Sequence, residues 1–242
     1  MTSKQVYDVA IIGGGIIGNS IAAHLAEENL KIVIIDPNNL GLAASKAAAG
    51  MFQLQLSELG NKELVDFCHE SFLYFPKFYE KIKSTKVLEN IDMGFRQTGS
   101  IYLAFKETEI KERENEYNEL KIKPDLSFLK KEDVLSLEPE VSTSILGAFH
   151  YPKEGYINNP KFLKGLISYC QWKNITYMES KVDEIIIDKS NIKSLALENG
   201  QIINAKKYVL CNGAWANGLL KRIYDIEQNL IIGVKGEIIQ LH

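Results

Sequence analysis

An α/β fold is what this sequence of 242 residues predicts: a doubly wound, largely parallel sheet with a β-meander, interrupted by a smaller α+β lobe. Three observations predict it. Apolar runs rich in β-branched residues, Val6–Ile12 and Lys31–Asp36, flank a stretch with helical spacing, the strand–helix–strand order of a parallel sheet. Three glycines, Gly13, Gly15 and Gly18, stand at G-x-G-x-x-G spacing where the first run ends. Toward the C-terminus, "KVDEIIID", "IKSLALE" and "QIINAKKYVLCNG" are separated by turn signals at Lys189–Asn191 and Asn199–Gly200, which reads as a meander leading into a buried strand.

Each element can be justified in order. Val6 to Ile12 is a buried parallel strand because its apolar residues hardly alternate. A helix starts near Gly15: Ile17, Ile21, Ala22 and Leu25 form its apolar face, and Glu27, Glu28 and Asn29 end it. "KIVIID" is the second strand, stopped by Pro37. Asn61 to about Lys83 favours a long helix that Pro76 should kink or divide. Met93–Phe105 offers short strands around the Gln97–Ser100 turn, Thr108–Lys123 is a charged helix, and "KKEDVLSLEP" is a short helix ended by Pro139. Near Gly155 the chain returns to the first lobe, with Asn159 as N-cap, Pro160 at the first helical position and apolar spacing from Phe162 to Cys170. A strand at Ile175–Met178 follows.

Composition narrows the function classes. The net charge is −3 with 24% charged residues, and no Lys/Arg run exceeds a pair, which disfavours a nucleic-acid surface. Cys68, Cys170 and Cys211 are far apart and in no C-x-x-C arrangement, so neither a disulfide framework nor a zinc site is expected, and a reducing cytoplasm fits. No apolar stretch approaches the roughly 20 residues of a membrane span. His24, His69 and His150 lack metal spacing; the first two read as solvated helix residues and the third as a loop or strand residue. The aromatic run Phe72, Tyr74, Phe75, Phe78, Tyr79 reads as core.

The glycines carry chemistry. Gly13 permits a tight turn, Gly15 lets backbone approach a pyrophosphate, and Gly18 lets helix pack closely on strand, while the helix N-terminus offers N–H groups to phosphates. Asp36 follows 18 residues after Gly18, where its carboxylate can accept from ribose hydroxyls. It would repel a 2′-phosphate, so NADP is disfavoured while NAD and FAD stay open. The second motif is "YVLCNGAWA", in which Gly213 follows a buried strand and lets the chain pass near a bound nucleotide. A meander ahead of such a turn favours FAD. "GLAASKAAAGM" reads either as an alanine-rich helix start or as small residues that let backbone approach a cofactor.

Taken together, "DVAIIGGGIIGNSIAAHLAEEN", "KAAAGM", "ILGAFHYPKEGYINNPKFLKGL", "YVLCNGAWA" and "IIGVKGEIIQL" resemble the D-amino-acid oxidase family of FAD enzymes, and within it the glycine oxidases of thiamine biosynthesis. The resemblance runs along the whole chain. It implies that Gly13, Gly15, Ile16, Ile17 and Gly18 line the pyrophosphate and that Asp36 and Pro37 lie at the adenosine. It also implies that Ala44 and Ser45 contact phosphates or flavin, that Ala49, Gly50 and Met51 lie beside the isoalloxazine, and that Val182 offers a backbone contact to adenine. It divides the chain into an FAD lobe, 1–88 and 151–226, and a partial substrate lobe, 89–150 and 227–242.

The implied activity is oxidative deamination of glycine or another small amine, with hydride passing from Cα to the flavin and O2 reoxidising it to hydrogen peroxide. No side-chain base is implied, so no catalytic residue is named. Two departures stand against full activity. Ala44 lacks the polar group usual at that position, and the family continues past "VKGEIIQLH" into a substrate wall, a carboxylate-binding arginine and a second Gly-rich stretch. The rival expectation is therefore a catalytically incompetent FAD-binding fragment, whose partner would be another copy or a separate chain supplying the remainder.

Overall fold

The computed structural model describes residues 6–37, 43–54, 62–121, 123–224 and 230–237. Gly41, Asn61, the expected 226/227 boundary and the last residues of the chain lie outside them. The elements run β1 (Val6–Ile12), α1 (Ile16–Leu25), β2 (Ile32–Asp36), α2 (Ala44–Ala47), β3 (Met51–Phe52), α3 (Lys62–Lys83), β4 (Phe95–Arg96), β5 (Ser100–Ala104) and α4 (Glu107–Glu119). They continue with β6 (Ser127–Lys130), α5 (Lys131–Leu137), β7 (Gly147–Tyr151), β8 (Gly155–Ile157), α6 (Asn159–Trp172), β9 (Thr176–Glu179), β10 (Val182–Asp188), β11 (Asn191–Leu197), β12 (Ile202–Leu210) and α7 (Ala216–Tyr224). Two compact units result, one of residues 1–49, 82–93 and 159–242, the other of 50–81 and 94–158.

The first unit is built on a six-stranded sheet of order β10-β11-β12-β1-β2-β9. β1 pairs in parallel with β12 on one side and β2 on the other, and β2 pairs in parallel with β9, placing Asp36 opposite Glu179. β10, β11 and β12 form the antiparallel meander. Lys189 (φ 58°) and Gly200 (φ 83°) take the left-handed conformations its turns need. Side chains alternate across the sheet: Ala10, Ile12, Val33 and Ile35 join Val182, Ile185, Leu195 and Leu219 in one core, while Ile11 and Ile34, also fully buried, point to the opposite face.

Helix α1 departs from its expected face. Ile17 is 63% exposed, and the residues turned inward are Gly18, Asn19, Ala22 and Ala23. The cause is Gly18, whose added Cβ would stand only 2.0 Å from the Gly13 carbonyl oxygen. With the helix that close to the turn beneath it, only small or hydrogen-bonded side chains fit. Asn159, expected as the N-cap, is instead the first residue of α6, and its amide donates to Ala48 O (2.6 Å).

The second unit holds two three-stranded sheets, β3-β8-β4 and β5-β7-β6. The expected boundary at residue 88 falls elsewhere, because most of α3 belongs here. Phe52 stacks on Phe72 (4.4 Å between centroids) and meets Phe95 edge-on (5.0 Å), so the aromatic face of α3 is held by β3 and β4. The helix runs unbroken through Pro76, and Tyr74 of the aromatic run lies outward. His69 also departs from expectation: it is buried rather than solvated, and burial lowers its pKa. Residues 230–237 group with the first unit and form neither helix nor strand, although a return to the substrate lobe from 227 was expected. Ile231 exchanges hydrogen bonds with the Asn217 side chain.

Among the described residues no helix is long and apolar enough to cross a membrane, and no His/Cys/Asp/Glu group could hold a metal ion. Cys68, Cys170 and Cys211 form no disulfide.

Candidate functional site

A cleft of about 620 Å³ opens in the first unit at the C-terminal ends of β1, β2 and β12 and the start of β10. This is where ligands bind in open α/β sheets. Gly13 makes the cleft's inner corner: its φ is +111°, and an added Cβ would stand 2.4 Å from Cys211 O, so the chain ends leaving β1 and β12 touch only because the residue is glycine. Gly13 N–H donates to Ile35 O (2.8 Å) and Cys211 N–H to Ile12 O (2.7 Å), tying the three strand ends together.

On this corner the chain bends into α1. Gly14 N–H donates to the Asp36 carboxylate (2.7 Å), which fixes that side chain at the end of β2. Ile16 N–H donates to Ser45 Oγ (3.0 Å), drawing α2 toward the N-terminus of α1. Both acceptors line the cleft, as do Gly13, Gly15, Pro37, Ala44, Val182 and Gly213. The remaining residues singled out from the sequence lie elsewhere. Ile16 is outside the lining and gives its N–H to Ser45, Ile17 faces outward, and Gly18 is packed beneath Gly13. Ala49 follows α2 outside the lining, whereas Gly50 and Met51 belong to the second unit, where Gly50 O accepts from Ile157 N–H (2.7 Å) and Met51 pairs with Tyr156.

Other lining residues went unread. Ser180, Lys181 and Asp183 flank Val182, and Trp215, Leu219 and Arg222 come from the segment after Gly213. Arg222 donates to the Asp183 carbonyl, fastening α7 to β10 at the cleft's edge. Their spacing of four and three residues is the signal that could have found them, since it places them on one helical face. Cys211 lines the cleft too, and burial raises its thiol pKa.

The arrangement fits a dinucleotide in its donor set and in its shape. Strand ends held within backbone contact, a glycine corner that admits no Cβ, a helix N-terminus and a carboxylate at the adjacent strand end are the parts a diphosphate and a ribose require.

Comparison with known proteins decides the family. The profile described as FAD dependent oxidoreductase matches residues 8–242. The chain belongs to that family. FAD-dependent oxidoreductases similar to it include the glycine oxidase of Geobacillus kaustophilus (strain HTA426), 30% identical over 221 residues, a match covering 90% of this chain and 57% of the relative. The bifunctional protein ThiO/ThiG of Synechocystis sp. is 26% identical, over 88% of this chain and 31% of that protein. Among solved structures, the glycine oxidase from Geobacillus kaustophilus superposes with a TM-score of 0.79 at 29% identity, covering 91% of this chain and 59% of that one. The chain thus spans rather more than half the length of the glycine oxidases it matches.

Proposed function

We propose that this member of the FAD-dependent oxidoreductase family binds FAD in the cleft of its first unit and serves the two-electron oxidation of glycine or another small amine by O2. One observation carries the reading: Gly13, Gly15 and Asp36 line a single cleft in a chain whose family match runs from residue 8 to 242. The diphosphate would lie over the corner at the N-terminus of α1, with Ser45 beside it. The adenosine would lie toward Asp36, whose carboxylate is held at the cleft by Gly14 N–H, and toward Val182. Bound there, FAD would supply the hydride acceptor for oxidation of the carbon bearing the amine.

The protein's own work is to hold and orient. Gly13 and Gly18 let three strand ends and one helix converge on the diphosphate, and the carboxylate of Asp36 selects a nucleotide without a 2′-phosphate. In the same reading, the first unit is the FAD lobe, the second unit is part of the substrate lobe, and the protein works in the cytoplasm. The similarity to glycine oxidases supports the choice of substrate class.

The test is to purify the chain, record flavin absorbance and assay peroxide release on glycine, sarcosine and D-alanine. Flavin with turnover supports the oxidase. Flavin without turnover on any amine reduces the function to cofactor binding, and protein that takes up no FAD refutes the assignment.

A further inference from the structure

Asn19 is fully buried on the inward face of α1, directly after the glycine turn. A buried amide is costly unless its polar atoms are satisfied. Here they are. Nδ2 donates to Gly14 O (2.7 Å) and Gly15 O (3.0 Å), and Oδ1 accepts from the Tyr177 hydroxyl on β9 (2.5 Å). The main-chain carbonyl of Asn19 also accepts from Cys170 Sγ on α6 (3.5 Å). The side chain therefore fastens two carbonyls of the turn to the neighbouring strand.

The consequence follows from peptide geometry. In a trans peptide the N–H points opposite to the C=O. Drawing Gly14 O and Gly15 O inward turns the N–H groups of Gly15 and Ile16 the other way. For Ile16 the direction is on record, since its N–H reaches Ser45 Oγ at the cleft. An apolar residue at position 19 would fill the space and leave Gly14 O without its donor, while Gly15 O would keep only the main-chain N–H of residue 19 (3.1 Å).

We propose that Asn19, backed by Tyr177, is a positioning residue that aims the peptide N–H groups of the glycine turn at the cofactor's diphosphate; this rests on the FAD reading above. The network keeps its protons, because burial raises the Tyr177 phenol well above its ordinary value and pushes the Cys170 thiol up to about 12. Tyr177 thus stays a donor, which leaves the Asn19 oxygen facing it and the amide hydrogens facing the turn.

The experiment titrates the full chain with FAD and with ADP by calorimetry, at a temperature where circular dichroism shows each protein folded. Asn19→Leu should raise both dissociation constants about tenfold, the loss of one well-made hydrogen-bonded arrangement. Tyr177→Phe, which removes only the backing hydroxyl, should raise them about threefold. The double variant should bind no more weakly than Asn19→Leu alone, because Tyr177 acts through Asn19. A residue that merely stabilises the fold would lower the melting temperature and leave these constants unchanged. Folded Asn19→Leu binding ADP within twofold of the parent overturns the proposal while leaving the FAD reading intact. Should Asn19→Leu not fold, unchanged binding by Tyr177→Phe overturns it equally. A parent chain that binds neither FAD nor ADP overturns both.

Discussion

Three glycines of the first unit should respond to alanine in a fixed order, because each tests a different part of the steric argument. At Gly13 both penalties apply. The backbone is at φ +111°, and the new Cβ would stand 2.4 Å from Cys211 O, 2.6 Å from Cys211 C and 2.9 Å from Asn212 N, all main-chain atoms at the end of a strand paired with β1. The backbone strain costs about 1–3 kcal/mol and the overlap about another 1–3 kcal/mol, so Gly13→Ala should lose on the order of 4 kcal/mol. That is a large share of the roughly 5–15 kcal/mol a domain possesses. Gly213 has φ +55° with nothing within 4 Å of an added Cβ, so only the left-handed backbone is penalised, by about 1–2 kcal/mol. Gly218 lies inside α7 with an ordinary φ and open space, and alanine there should stabilise by about 0.5–1 kcal/mol. Urea unfolding followed by circular dichroism measures all three at constant slope. If Gly13→Ala falls within about 1 kcal/mol of Gly213→Ala, the contact between the ends of β1 and β12 is not what requires glycine, and the reasoning fails.

Asp36→Ala strands Gly14 N–H and removes the acceptor proposed for the ribose, so FAD affinity should fall about 10- to 100-fold in a fluorescence titration, with a loss of about 1–3 kcal/mol in urea unfolding. In the second unit Glu154 is 1% exposed and accepts from Leu54 N–H (2.7 Å) and from the Ser100 hydroxyl; Glu154→Ala should therefore cost about 2–4 kcal/mol in chemical denaturation. Among the cysteines, exposed Cys68 should react first with a thiol reagent at pH 8, while Cys211, whose pKa burial raises, should react slowly and be shielded by added FAD. Cys170 titrates near 9 when unfolded and at about 12 when folded, so above pH 9 the unfolded chain holds fewer protons than the folded one. Stability should decline between pH 9 and 12, and Cys170→Ala should flatten part of that decline; Tyr169 and Tyr177, whose pKa values desolvation also raises, act in the same direction.

What the sequence makes legible here is whatever is written as spacing. Gly13, Gly15, Gly18 and Asp36 can be read because a turn, a close approach and a strand end each demand one residue type at one distance, and the structure gives Gly13 its positive φ, packs Gly18 against Gly13 and puts Asp36 at the end of β2. Trp215, Leu219 and Arg222 were readable on the same terms, as a helical face following Gly213. Residues 50–81 were not: their aromatic run announces a core, yet which core depends on Phe52 and Phe95, whose partners only tertiary contact reveals.

Asn19 marks the deeper limit. A hydrophobic-face count turns Ile17 inward and passes over Asn19, and the structure departs from it at both positions for one reason. Gly18 brings α1 so near Gly13 that the face meeting the turn must be small, or must hydrogen-bond the carbonyls it meets. A glycine that sequence reasoning credits with close packing therefore also decides what its neighbour has to be. The physical argument that explains Gly18 predicts a polar, buried residue at 19 once the helix's distance from the turn is known; without that distance, hydrophobicity is the only guide, and here it points the wrong way.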